Sequence, residues 1–308
     1  MRQTLLALAA LALGAALAAE DLPKGAIRIS PEDRQKVEAA IPTAAPATPM
    51  KPRLMLVTNL NMRKGEVRGG HSSIPYGNLA LELMGKKTGA WEILRSDDVE
   101  LWRPESIRRF DVICFMNTAG VLTEDGELRE SLLSFVREGG GFVAFHAGGG
   151  ATFVEWPVYD QFPEFGEMVG GYENGGHPWA PDEPITIRVE DASHPLTRML
   201  DPAGFVVEDE VFQFQAPYSR EKVRVLLSID TDRTDMNPER RFLPERAQDR
   251  DFPTSWIKTY GKGRVFYTSF GHNTHMYQDR KLLEHYLAGI QYALGDLEAD
   301  ATPSARVE

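Results

Sequence analysis

Cysteine is almost missing from this sequence: Cys114 is the single one in 308 residues. A lone thiol forms no internal disulfide, so the fold must rest on its apolar core whatever the redox state of its surroundings. Cys114 lies inside the apolar run Asp111-Val-Ile-Cys-Phe115 and reads as a small buried hydrophobe, not a nucleophile. Clustered basic residues are missing too. The formal charge is -11 and no Lys/Arg stripe is present, which argues against nucleic acid as a partner and against attraction to a membrane surface. No G-x-G-x-x-G follows the first predicted strand, which removes the usual dinucleotide site, and no H-E-x-x-H or similar local pair announces a metal. The one Ala/Leu run, from Arg2 to about Leu17, is too short to span a bilayer and lacks flanking anchors.

That run has another reading. Ala16-Leu17-Ala18 supplies a small-x-small pattern just ahead of Glu20-Asp21, so residues 1–18 are expected to be a cleaved secretory signal, with a periplasm or the outside as destination. Residues 19–50 are rich in Ala and Pro and are expected to form a linker or a surface arm. A folded domain is expected over 51–296, followed by a loose acidic tail at 297–308.

What is abundant is glycine, and one glycine-rich stretch organises the rest: Arg137-Glu-Gly-Gly-Gly-Phe-Val-Ala-Phe-His-Ala-Gly-Gly-Gly150. Phe142 to Phe145 is apolar at every position, the mark of a strand buried on both faces of a parallel sheet. The glycines after it allow a sharp turn and a close approach of backbone N–H groups to a ligand, placing His146 at the strand's carboxyl end, where open α/β sheets bind ligands. Leu54 to Val57, Trp91 to Leu94 and Val112 to Phe115 read as companion strands. Leu79, Leu81, Leu83 and Met84 suggest a helix ending near Gly85. Leu128, Leu132, Phe135 and Val136 give a second helix one apolar face, with Thr123 as its N-cap and Gly139 as its stop.

Strand, helix, strand, helix, strand is the βαβ pattern, so the predicted fold is α/β: a doubly wound, mostly parallel sheet with helices on both faces. After residue 150 aromatics, turns and short strands dominate, pointing to β-rich insertions in the second half. Residues 231–254 read as a polar surface loop. Trp256 to Tyr260 and Arg264 to Ser269 read as a hairpin-like pair leading to His272, and Asp279 to Leu294 as a helix.

Four histidines fall in predicted exit loops or beside them: His71, His146, His177 and His272. Exit loops of parallel strands share one rim, so these rings are expected to converge. Three readings stay open at this point. The histidines act as general acid and base on a small polar substrate; or three of them, with Glu210 or Asp209, bind a metal such as zinc, for which the spacing gives no support; or histidines and aromatics such as Trp156, Tyr159, Tyr172 and Trp179 only hold a ligand. Ala144-Phe-His-Ala-Gly148 has the form of a nucleophile elbow with histidine where serine or cysteine belongs, which excludes acyl-enzyme chemistry of that type. His275 and His285 are assigned to surface or structural roles.

An ordered set of motifs carries a family resemblance: His71-Ser-Ser-Ile, Gly139-Gly-Gly-Phe-Val-Ala-Phe-His146, Trp156-Pro-x-Tyr159, Gly170-Gly171, His177-Pro178, His194-Pro-Leu-Thr197, Asp209-Glu210, and Gly261-Lys-Gly-Arg-Val-Phe-Tyr-Thr-Ser-Phe-Gly-His272. Over about residues 52–295 the sequence resembles the trehalose-utilisation (ThuA-like) family of the class I glutamine-amidotransferase-like superfamily. The resemblance implies a flavodoxin-like fold without the amidotransferase cysteine, and an association with disaccharide and keto-sugar catabolism, often beside NAD-dependent sugar oxidoreductases. The signal segment sets this chain apart from the cytoplasmic members.

The combined expectation is an exported protein with a rim pocket for a small carbohydrate or its oxidised derivative. His146 is the first choice of acid/base, with His71, His272 and Glu210 sharing the proton or positioning hydroxyls. Substrate contacts are expected from Trp156, Tyr159, His177, Asn117 and Asp209. Proton abstraction beside a keto group suits such a site; hydrolysis by two carboxylates fits less well, because one acidic cluster is in view. The alternatives are a non-catalytic sugar-binding module and a metal-dependent hydrolase. No cofactor is called for, and a homo-oligomer is compatible with the sequence.

Overall fold

In the computed structural model the described residues are 28–51, 53–155, 158, 161–173 and 176–306. In chain order the first half holds α1 (Pro31–Ala40), β1 (Leu54–Thr58), a small hairpin of β2 (Met62–Arg63) and β3 (Glu66–Val67), α2 (Ile74–Thr88), β4 (Glu92–Arg95), α3 (Pro104–Ile107), β5 (Val112–Met116), α4 (Gly126–Arg137), β6 (Gly141–Phe145) and the single turn α5 (Ala147–Gly150). The second half holds α6 (Pro163–Val169), β7 (Tyr172–Glu173), β8 (Pro184–Val189), β9 (Phe205–Glu208), β10 (Phe214–Gln215), β11 (Arg224–Ile229), α7 (Pro244–Asp249), β12 (Pro253–Tyr260), β13 (Gly263–Thr268) and α8 (Arg280–Leu294).

One nine-stranded sheet runs through the molecule in the order β4-β1-β5-β6-β13-β12-β11-β8-β9. The first five are parallel, and the central β5 and β6 are buried at every position, as a sheet covered on both faces requires. Met55, Val57, Cys114, Val143 and Phe145 point to one face, against α1, α2 and α8. Leu56, Ile113, Phe115, Phe142 and Ala144 point to the other, against α4 and α6. This is the mixed α/β, flavodoxin-like architecture expected, with a large and mostly parallel sheet. The β-rich second half does more than decorate it: β12, β11, β8 and β9 extend the same sheet through four antiparallel pairings. Four reversals return β9 to the direction of the parallel strands, so its carboxyl end, leading to Asp209 and Glu210, lies on the same rim as theirs.

Several local expectations are corrected. The Ala/Pro-rich arm contains a docked helix: the Ser30 hydroxyl caps α1 through Asp33 N–H, Pro31 occupies its first turn, and Val37, Ala40 and Ile41 enter the core. Further on, Ala47 exchanges two hydrogen bonds with the Gln291 side chain. The described part of the tail is pinned as well. Ser304 N–H donates to Val223 O, its hydroxyl accepts from Val225 N–H, and Arg264 pairs with Glu298. Asp125, not Thr123, is the N-cap of α4, while the Thr123 hydroxyl, two residues earlier, accepts from Asp125 N–H. The polar stretch 231–254 includes α7. Residues 1–18, expected as a signal segment, lie outside the described residues, and no described helix is long and apolar enough to cross a membrane.

Candidate functional site

β6 delivers His146, and the turn that follows is strained: His146 has φ +48°, a region non-glycine residues rarely enter and one that recurs at functional sites. Asn117, at the end of neighbouring β5, has φ +54°. Because β13 pairs parallel with β6, its exit loop emerges beside His146 and carries His272. His71 arrives on the loop before α2, and Glu210 on the segment after β9.

These groups meet. His146 Nε2 lies 3.5 Å from Glu210 Oε1 and 3.3 Å from His272 Nδ1, and His272 Nδ1 lies 3.2 Å from the same carboxylate oxygen. His177 Nε2 reaches that oxygen at 3.3 Å. The His71 ring stands edge-on to His146 and His272, with centroids 4.9 and 5.0 Å away. One donor atom each from His71, His146, Glu210 and His272 falls within 4.8 Å of all the others, so these four residues could hold a metal ion.

His146 is fully buried and fixed from every side. Its Nδ1 lies 2.8 Å from Ser269 O, its N–H donates to Thr268 O, and its ring stacks on Phe212 with centroids 4.5 Å apart. His177 and His272, with side chains 31% and 27% exposed, are open to solvent. Burial, aided by the neighbouring imidazoles, drives His71 down to about 3, so it is neutral across the physiological range. Burial also lowers His177, against the pull of Glu210. The Glu210 hydrogen bond raises His272. Burial pushes the Glu210 carboxyl up, but the neighbouring His146, His272 and His177 rings outweigh it and hold Glu210 well below the usual carboxylate range.

Two expected substrate contacts have other duties. Asp209 is fully buried and accepts N–H bonds from Gly271 and Asn273 at 2.7 Å each, so it anchors the loop that presents His272. Asn117 is also fully buried. Its amide donates to Ser73 Oγ and Gly271 O, tying three exit loops together. Trp156 and Tyr159, expected as a pocket wall, lie outside the described residues. Among the glycines after His146, Gly149 and Gly150 donate their N–H groups back to His146 O, and Gly148 lets α5 lie directly on β5. Cys114 is buried and its thiol pushed up by burial, which excludes it as a nucleophile.

A groove of about 980 Å³ opens on this side of the molecule, lined by Asn61, Arg63, Lys64, Arg68, Glu155 and Glu173 among others. Glu173 went unnoticed in the sequence. Burial pushes its carboxyl up to about 7, although Gly176 N–H donates to it, and the charge of Glu210 pushes the same way. Its only sequence signal is its place between Gly170-Gly171 and His177.

A profile of the ThuA family, described as trehalose utilisation, matches residues 62–293. The chain belongs to the ThuA family. Among solved structures, a ThuA-like protein from Bacteroides uniformis matches with a TM-score of 0.59 at 20% identity, covering 79% of this chain and 92% of that one. A ThuA-like protein from Parabacteroides merdae gives 0.56 at 16% identity, covering 81% and 93%. A cytoplasmic protein of Salmonella typhimurium gives 0.53 at 13%, covering 78% and 98%. At such identities the likeness speaks to the ThuA fold alone. None of the curated proteins matches the chain significantly.

Proposed function

We propose that this ThuA-family chain is an exported carbohydrate-processing enzyme that moves protons on a glycoside or keto-sugar. The supporting observation is the meeting of His71, His146, His177, His272 and Glu210 above one sheet edge, with no serine or cysteine among them. Complete burial shifts the leading role away from His146. Its neighbours hold it as a fixed part of a quartet with His71, His272 and Glu210, which grips a carbonyl or hydroxyl oxygen of the sugar.

His177 is solvent-accessible and its imidazole is biased toward the neutral form, the state a base needs. Glu173 is biased toward the protonated form, the state an acid needs. On a 3-keto glycoside His177 takes the proton from the carbon beside the carbonyl, a C=C bond forms as the glycosidic C–O bond breaks, and Glu173 protonates the departing oxygen.

The test is to incubate the protein with a panel of glycosides and 3-keto glycosides and follow product by chromatography. Turnover that falls by about 10²–10⁴-fold in His177→Ala supports the proposal. Saturable binding with no product from any substrate would replace the enzyme by a sugar-binding module. Export is part of the same proposal, and a secreted or periplasmic form lacking residues 1–18 by intact mass is its expected signature.

A further inference from the structure

We infer that His71, His146, Glu210 and His272 together bind one divalent transition-metal ion of the zinc type. Nitrogen and oxygen ligands at about 2.0–2.1 Å around a tetrahedral ion lie about 3.3 Å from one another. Three pairs in the cluster have that spacing: His146 Nε2 to His272 Nδ1 at 3.3 Å, His272 Nδ1 to Glu210 Oε1 at 3.2 Å, and His146 Nε2 to Glu210 Oε1 at 3.5 Å. His71 completes the set, with a donor atom inside the same 4.8 Å limit. Residues with no local sequence spacing thus acquire ligand spacing through the fold.

Hydrogen bonding gives a second and independent reason. Ser269 O can only accept, so its 2.8 Å contact puts the proton of a neutral His146 on Nδ1 and turns the Nε2 lone pair into the cluster. There Nε2 meets a carboxylate oxygen and another imidazole nitrogen. A proton on His272 Nδ1 can serve one of its two neighbours, whereas a cation at the centre serves every donor at once. An imidazole whose far nitrogen is held by a backbone carbonyl is also the usual outer-shell arrangement of a metal-binding histidine. His71 Nδ1 is buried without a hydrogen-bond partner, which leaves that ring free to turn a nitrogen toward an ion.

Three imidazoles and one carboxylate suit zinc or a neighbouring late first-row ion better than magnesium or calcium, which favour oxygen ligands. His177 stays outside the quartet, its Nε2 3.3 Å from the Glu210 oxygen. The inference deepens the proposed reaction by naming what grips the sugar oxygen: a bound ion polarises the carbonyl and stabilises the charge that develops there. It shares the site with that reaction but concerns occupancy, which is measured without any sugar.

The full chain, free of added histidines and stripped with a chelator, is titrated with Zn²⁺ by calorimetry and with Co²⁺ by visible absorption. One ion per chain and the intense d–d bands of four- or five-coordinate Co²⁺ are expected. His71→Ala and His272→Ala, each checked for folding by circular dichroism, should each lose about a hundredfold or more in affinity. Exposed His275→Ala should bind as the parent does. Retention of less than about a tenth of an equivalent of Zn²⁺ after desalting overturns the inference, as does binding that none of the quartet variants weakens. One bound ion without turnover of any keto-sugar keeps the metal site and removes the reaction; turnover by the stripped protein keeps the reaction and overturns the ion's part in it.

Discussion

Asp209 and Glu210 are consecutive carboxylates with opposite surroundings. Asp209 is shut inside, taking two backbone N–H bonds from the loop that carries His272, while Glu210 projects into the histidine cluster and touches three imidazoles. One residue builds the frame on which its neighbour's partner sits. Asp209→Ala leaves the Gly271 and Asn273 N–H groups unpaired, each costing about 1–3 kcal/mol, so denaturant unfolding should show a loss of about 2–6 kcal/mol. Asp209→Asn keeps one acceptor and should lose about half as much. Equal losses in the two variants would show that the paired acceptors are not what holds the loop.

The carboxyl of Glu173, pushed up to about 7 by burial, makes a directional prediction for activity. An acid must hold its proton, so turnover should decline as pH rises through about 7 and be retained below it. Glu173→Gln should lower kcat and flatten that alkaline limb. An unchanged limb in the variant would assign the decline to another group.

Gly148 makes a steric prediction. A Cβ there would stand 2.1 Å from Phe115 O, a backbone atom of β5 that cannot swing aside. Gly148→Ala must therefore lift α5 off the sheet, and a loss of about 3 kcal/mol or more is expected by thermal or urea unfolding. Full stability in this variant would mean that the turn after His146 is looser than its geometry says.

His285 predicts part of the acid response of stability. It is fully buried in α8, with Nδ1 on Leu196 O and Nε2 on the Ser255 hydroxyl, and burial lowers its pKa to about 4. The unfolded chain, with an ordinary histidine near 6.5, binds the extra proton first. Stability should therefore fall as pH drops from about 6.5 toward about 4, by up to ~1.4 kcal/mol per pH unit, and level off below. Urea unfolding of His285→Gln at several pH values should show a shallower slope. An identical slope would exclude His285 as its source.

Much of this was legible in the chain because the relevant signals are local. Apolar runs such as Val112 to Met116 and Gly141 to Phe145 can only be buried on both faces, and parallel strands place their exit loops on one rim, which is why the histidines could be grouped before their distances were known. What escaped has a common physical cause. The averaged composition of residues 19–50 hid the Ser30-Pro31-Glu32-Asp33 start of α1, a capping signal four residues long. Asp209 and Asn117 look like exposed polar loop residues until the loops they tie together are in view. The ligand-like spacing of His71, His146, Glu210 and His272 has no counterpart in sequence separation, since it is made by antiparallel pairings that swing the end of β9 back to the shared edge.

Those four groups come from four stretches of chain that only the finished sheet brings together. No fragment that stops before β13 can contain them all, and no collapsed intermediate with β9 misregistered can place Glu210 opposite His146. Occupancy by an ion would therefore mark completion, since a full set of four donors exists only where the whole sheet has formed.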